Sequence, residues 1–90
     1  MSAVRYRLPD VMDLRAAAPL ARDLLALRGK DVALDGSGVQ RLGGLCLQVL
    51  LAARQTWAAD DVPLTIVEPT ATLRDCIHLF GATFHAPAYG

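Results

Sequence analysis

Val32-Ala33-Leu34-Asp35-Gly36-Ser37-Gly38-Val39-Gln40-Arg41-Leu42-Gly43-Gly44-Leu45-Cys46-Leu47-Gln48-Val49-Leu50-Leu51 is the stretch on which the fold turns. It opens with a short apolar run, Val32 to Leu34, that stops at Asp35. Such a run between turn signals predicts a buried strand. Gly36-Ser37-Gly38 follows as a loop, and Val39 and Leu42 point inward around the polar pair Gln40-Arg41. Gly43-Gly44 then precedes the most apolar helix of the chain, Leu45 to Ala59, which Asp60-Asp61-Val62-Pro63 closes.

On the N-terminal side, Val4-Arg5-Tyr6-Arg7-Leu8 alternates apolar and basic residues, the pattern of a half-buried strand, and Pro9 stops it. Asp13 to Arg28 reads as a helix, with Leu20, Leu24 and Leu27 on one face and Leu25 beside them. Pro19 lacks an N–H and is best placed in a first turn, which puts the regular helix from about Ala17. Gly29 suits the position just past its end. On the C-terminal side, Leu64-Thr65-Ile66-Val67 is a β-branched strand ended by Glu68-Pro69. Thr70 or Thr72 caps a last helix that runs through Phe80 to Gly81, and Thr83-Phe84-His85 reads as a short final strand. The order β-α-β-α-β-α, with that last strand, predicts a single α/β domain over residues 1–90. Its sheet would be mainly parallel, of about four strands.

The hydrophobic share is 53% and the aromatic share 6%, so the core must be aliphatic. Nine basic residues balance nine acidic ones, which leaves no excess to neutralise phosphates and argues against nucleic acid as a partner. No apolar run approaches the roughly 20 residues that span a bilayer. Met-Ser-Ala-Val-Arg-Tyr-Arg lacks the apolar segment of a signal peptide. The expectation is a cytoplasmic protein without membrane insertion. Cys46 and Cys76 have no CxxC spacing and read as buried free thiols of a reducing compartment.

Catalytic patterns are absent. Ser37 has Asp35 two residues before it instead of the glycine of a GxSxG elbow, so it reads as a turn residue. Glycines 36, 38, 43 and 44 lack the GKS or GKT of a phosphate loop. Backbone amides at a helix N-terminus still leave a small-ligand or nucleotide reading open. Cys76 and His78, at i and i+2, face different directions, and His85 lies beyond a helix terminator, so neither a metal nor a cofactor is expected. The middle helix carries more information. At about 100° per residue, one arc holds Ala53, Cys46, Trp57, Leu50, Leu47 and Leu51, with Arg54 snorkelling at its edge. A second stripe, bordered by Gln48 and Gln55, holds Leu45, Val49, Ala52 and Thr56. An apolar stripe away from the core either packs on another element or meets a partner, and both readings stand.

The quoted stretch resembles the signature of STAS domains, the anti-sigma-factor antagonist type. Their pattern is an apolar strand ending in Asp or Asn, a small loop, an apolar residue, then Asp-Ser/Thr-Ser/Ala-Gly-Leu-x-x-Leu-Leu. Val39 and Leu42 fall on the apolar positions, and Leu47, Leu50 and Leu51 on the leucines after the motif. The chain is also similar to small STAS proteins associated with bacterial chemotaxis. The resemblance implies a STAS-like fold and a non-catalytic protein-interaction module of bacterial signalling. Its partner would be a histidine-kinase-like ATPase, an anti-sigma factor or a chemotaxis component. The alternative it implies is the STAS subunit of a bacterial lipid-trafficking ABC transporter. One departure matters: Asp-Ser-Ser-Gly is here Gly43-Gly44-Leu45-Cys46. The position of the phosphorylated Ser or Thr is Leu45, which has no hydroxyl. Ser37 and Thr56 are the nearest hydroxyls, and nothing assigns either that role. The expected partner surface is Gln40, Arg41, Gly43, Gly44, Leu45, Gln48, Val49 and Ala52, with Leu45 as its apolar anchor. A homodimer through the same stripe reads identically in sequence.

Overall fold

The computed structural model describes residues 3–79. Three parallel strands form the sheet in the order β1 (Val4–Arg7), β3 (Val32–Asp35), β5 (Leu64–Val67). A second parallel ladder pairs two-residue strands, β2 (Val11–Met12) with β4 (Arg41–Leu42). Three helices complete the α/β fold: α1 (Leu14–Ala26), α2 (Gly44–Ala59) and α3 (Ala71–Leu79). The expected final strand at 83–85, like Phe80, Gly81 and His85, lies outside the described residues.

The register puts Val4, Val32 and Leu64 in one row and Tyr6, Leu34 and Ile66 in another on the same face. Val32, Leu34 and Leu64 are buried in one cluster with Leu20 and Leu24 of α1, Leu50 and Trp57 of α2, and Leu73 and Ile77 of α3. All three helices therefore close one core. The opposite row holds Arg5, Ala33 and Thr65, where Arg5 is exposed.

Several local readings change. β1 is not half-buried by alternation: Val4 is exposed, Tyr6 is partly buried, and Leu8, just past the strand, is the residue that reaches the core. The strand lies at one edge of the sheet, where the helices cover only part of it. α1 begins three residues before the expected start, because Asp13 caps it, accepting from the N–H groups of Arg15 and Ala16 at 3.1 and 3.2 Å. Pro19 then sits inside the helix, where it removes the bond to the Arg15 carbonyl, and the tertiary packing of Leu20 and Leu24 outweighs that loss. Leu25 faces solvent, away from those leucines. Gly29 takes a φ of +88° just after the helix, a conformation that favours glycine. Thr70, of the two threonines considered, caps α3: its hydroxyl accepts from Leu73 N–H at 3.2 Å and donates to the Val39 carbonyl at 2.6 Å. Both cysteines are free, Cys46 buried and Cys76 only partly so.

A candidate partner surface at the head of two helices

The β2–β4 ladder was not foreseen, and it builds the site. It sets Val11 opposite Arg41 and Met12 opposite Leu42. Each short strand leads directly into a helix, so the N-termini of α1 and α2 lie side by side. Three contacts lock them. Gln40 N–H donates to the Asp10 carbonyl at 2.7 Å, Gly43 N–H to the Met12 carbonyl at 2.8 Å, and the Cys46 thiol to the Asp13 carbonyl at 3.2 Å. A Cβ on Gly43 would stand 3.2 Å from the Met12 oxygen, so this glycine serves the close approach of the chain's own β2. Gly44 is open: a Cβ there would meet nothing. Burial pushes the Cys46 thiol's pKa up, which keeps it protonated and inert.

Gln40, Arg41, Gly43, Gly44, Leu45, Gln48 and Ala52 are all exposed, while Val49 is half-buried against the core. The stripe on α2 therefore divides. Leu45 projects at the head of the helix, and Val49 and Thr56 line a groove between α1 and α2. The core arc of α2 is as its periodicity predicts, with Cys46, Leu47, Leu50, Ala53 and Trp57 buried and Leu51 at its margin. The Arg54 Nε at that margin is buried without a hydrogen-bond partner.

Two residues of the surface are not visible by sequence reasoning. Val11 is 41% exposed and Leu14 76%, beside Leu45 at 45%. All three are exposed aliphatic side chains at, or just before, the heads of the two adjacent helices. The signal for Leu14 lay in Asp13: a cap there makes Leu14 the first helical residue and puts it on the line of Ala18 and Leu25 instead of that of Leu20 and Leu24.

The glycine loop that suggested a phosphate cradle is occupied by the chain itself. The N–H groups of Gly36, Ser37, Val39 and Gln40 donate to Val67 O, Asp35 Oδ1, Gly36 O and Asp10 O. A Cβ on Gly38 would fall on the Arg7 guanidinium and the Asp10 carboxylate, which pair at 3.4 Å. Beneath this loop, Asp35 is the one buried charged residue among those described. Hydrogen bonding from Ser37, by its side chain and then by its amide at 3.0 Å, holds the Asp35 carboxyl at about 2, well below its ordinary 3.8, and Arg5 at 3.2 Å adds to it. A carboxylate whose folded pKa is depressed contributes stability that is complete above its ordinary pKa and lost as pH falls through the folded one. The thermal midpoint should therefore drop between about pH 4 and pH 2 through this group, and Asp35→Asn should flatten that drop. An unchanged slope in melts by circular dichroism would mean that the Arg5–Asp35–Ser37 cluster stores no folding energy.

Among the described residues, no group of three or more His, Cys, Asp or Glu could hold a metal ion. Among them also, no helix is long and apolar enough to cross a membrane. In comparison with known proteins, the family model described as "Mlab, STAS domain" matches residues 2–83. No curated protein and no solved structure matches the chain at a significant level.

Proposed function

Because the chain belongs to the STAS domain family, we propose that it is a non-catalytic protein-interaction module of bacterial signalling in the cytoplasm, binding its partner with the Gln40–Gly44 loop and the head of α2. The observation that supports this most is Leu45. An aliphatic side chain, 45% exposed, stands where the signature's phosphorylatable hydroxyl would be, and Val11 and Leu14 are exposed at the head of the neighbouring helix. In the expected phosphorylation switch, about two negative charges would appear at this helix N-terminus. Leu45 cannot carry them, so binding is constitutive or governed from the partner's side. The partner is a histidine-kinase-like ATPase, an anti-sigma factor or a chemotaxis component.

Leu45→Asp tests this reading. Against the partner isolated with the wild-type chain, calorimetric titration should show a loss of about thirtyfold or more, the scale of a hot-spot residue. The thermal midpoint should stay unchanged, since the side chain packs little of the core. Unfolding of the variant would return Leu45 to the core and remove the reading. Isolation of a transporter ATPase subunit as the partner would move the module from signalling to lipid trafficking.

A further inference from the structure

α1 carries an apolar stripe that nothing in the described chain covers. Leu14, Ala18, Ala21 and Leu25 recur at i, i+4, i+7 and i+11, one line along the helix. All four are exposed, Leu25 at 68%. On α2, Leu45, Val49, Ala52 and Thr56 repeat that spacing. Each helix joins one parallel strand to the next, so α1 and α2 run the same way, packed side by side. The two stripes flank a groove of about 190 Å³ between them, walled by Ala21, Leu24 and Leu25 on one side and Val49, Ala52 and Trp57 on the other. Alanines at the middle keep the groove shallow enough for another backbone to approach. Leu25 lines the groove itself, and Leu14 and Leu45 head the two stripes beyond its lining. A helix laid lengthwise fits this relief better than an extended strand, which would need an unpaired sheet edge.

Charge selects among the possible occupants. Arg15 and Arg22 lie on the solvent edge of the α1 stripe, both exposed, and neither makes an ion pair among the described residues. The opposite rim, Gln48 and Gln55, is uncharged. Asp23 is turned away and accepts from the Tyr6 hydroxyl at 2.8 Å, and Asp13 caps the helix. The face is therefore cationic along one edge, and a second copy could set against that edge only its own arginines or its uncharged glutamine rim, neither of them acidic. We propose that the α1–α2 groove receives an amphipathic helix of a different protein, with apolar anchors at i, i+3 or i+4, and i+7, and with Asp or Glu along the flank that meets α1. This rests on the reading of the chain as a protein-binding module and extends its surface from α2 across to α1.

The test is a photo-crosslinking amino acid placed singly at Ala21, Leu45 and, as a control on α3, Arg74. The full chain is used in the cell that makes it, each variant's fold is checked by circular dichroism, and the crosslinked peptides are sequenced. Positions 21 and 45 should capture the same protein, and the peptide held at 21 should show helical apolar spacing with an acidic flank. Arg15→Glu with Arg22→Glu should lower the yield at position 21 by about tenfold or more, and the matching pair of Lys variants should not. Capture at 45 without capture at 21 leaves the module reading intact and overturns the groove. Self-peptides at 21, a basic peptide, or a lipid adduct overturn the proposed occupant. No adduct above the Arg74 control at either position overturns both readings.

Discussion

Trp57→Ala should cost about 3–5 kcal/mol, a loss comparable with much of the 5–15 kcal/mol that typically holds a domain folded. Trp57 is the largest side chain in the core and only 2% exposed, in the last turns of α2. Its ring joins α2 to the cluster under the sheet and lines the foot of the α1–α2 groove. The indole N–H donates to the Lys30 carbonyl at 2.7 Å, which ties the helix to the link between α1 and β3. Truncation removes the packing and also leaves that carbonyl without its partner. Trp57→Phe separates the two effects: it keeps most of the apolar surface and loses the hydrogen bond, at about 1–2 kcal/mol. Urea unfolding followed by circular dichroism measures both, since indole fluorescence is gone from each variant. An alanine variant within about 1 kcal/mol of wild type would mean that α2 is not anchored through this residue.

What could be read in the sequence and what could not divides by length of pattern. The core arc of α2 was legible because sixteen helical residues repeat a 3.6-residue period more than four times. β3 and β5 were legible because a run of apolar or β-branched residues, three in β3 and four in β5, stood between clear turn signals. β2 and β4 have two residues each and no period at all, so nothing local marks them. Their pairing is a contact between residues thirty apart in the chain. That pairing sets the heads of α1 and α2 side by side, and it brings Val11 and Leu14 into the candidate surface. For the same reason, the expected surface took in α2 and the segment leading into it, Gln40 to Gly43, but nothing of α1. The start of α1 was misplaced because two local rules conflict there. Proline prefers a first turn and Asp13 is a strong cap, and the cap, backed by the buried leucines that follow, prevails. The second stripe of α2 was read as either packed or partner-facing. Val49 packs and Leu45 does not, because α1 crosses only part of the stripe.

Gly36→Ala should cost about 1–3 kcal/mol, although it adds a single methyl group at a buried position with no left-handed φ. The added Cβ would overlap the Leu73 side chain and stand 3.3 Å from the Pro69 Cα. Leu73 is fully buried and cannot swing clear. Gly36 is also a junction: its N–H donates to Val67 O at 3.0 Å, and its carbonyl accepts from Val39 N–H and Thr70 N–H, both at 3.3 Å. It ties the end of β3 to the end of β5, to the loop before β4 and to the cap of α3. A methyl group there pushes all four apart, and the β2–β4 ladder that shapes the candidate surface follows the same loop. The cost is steric, so relieving the overlap should recover part of it. Leu73→Val removes one methylene at the crowded spot, and Gly36→Ala combined with Leu73→Val should lose less than the two single losses added together, by about 0.5 kcal/mol or more. Strict additivity in urea titrations of the four proteins would show that the two residues do not share one packed site. The cost of Gly36→Ala would then lie with its other close neighbour, the Pro69 backbone, and not with Leu73.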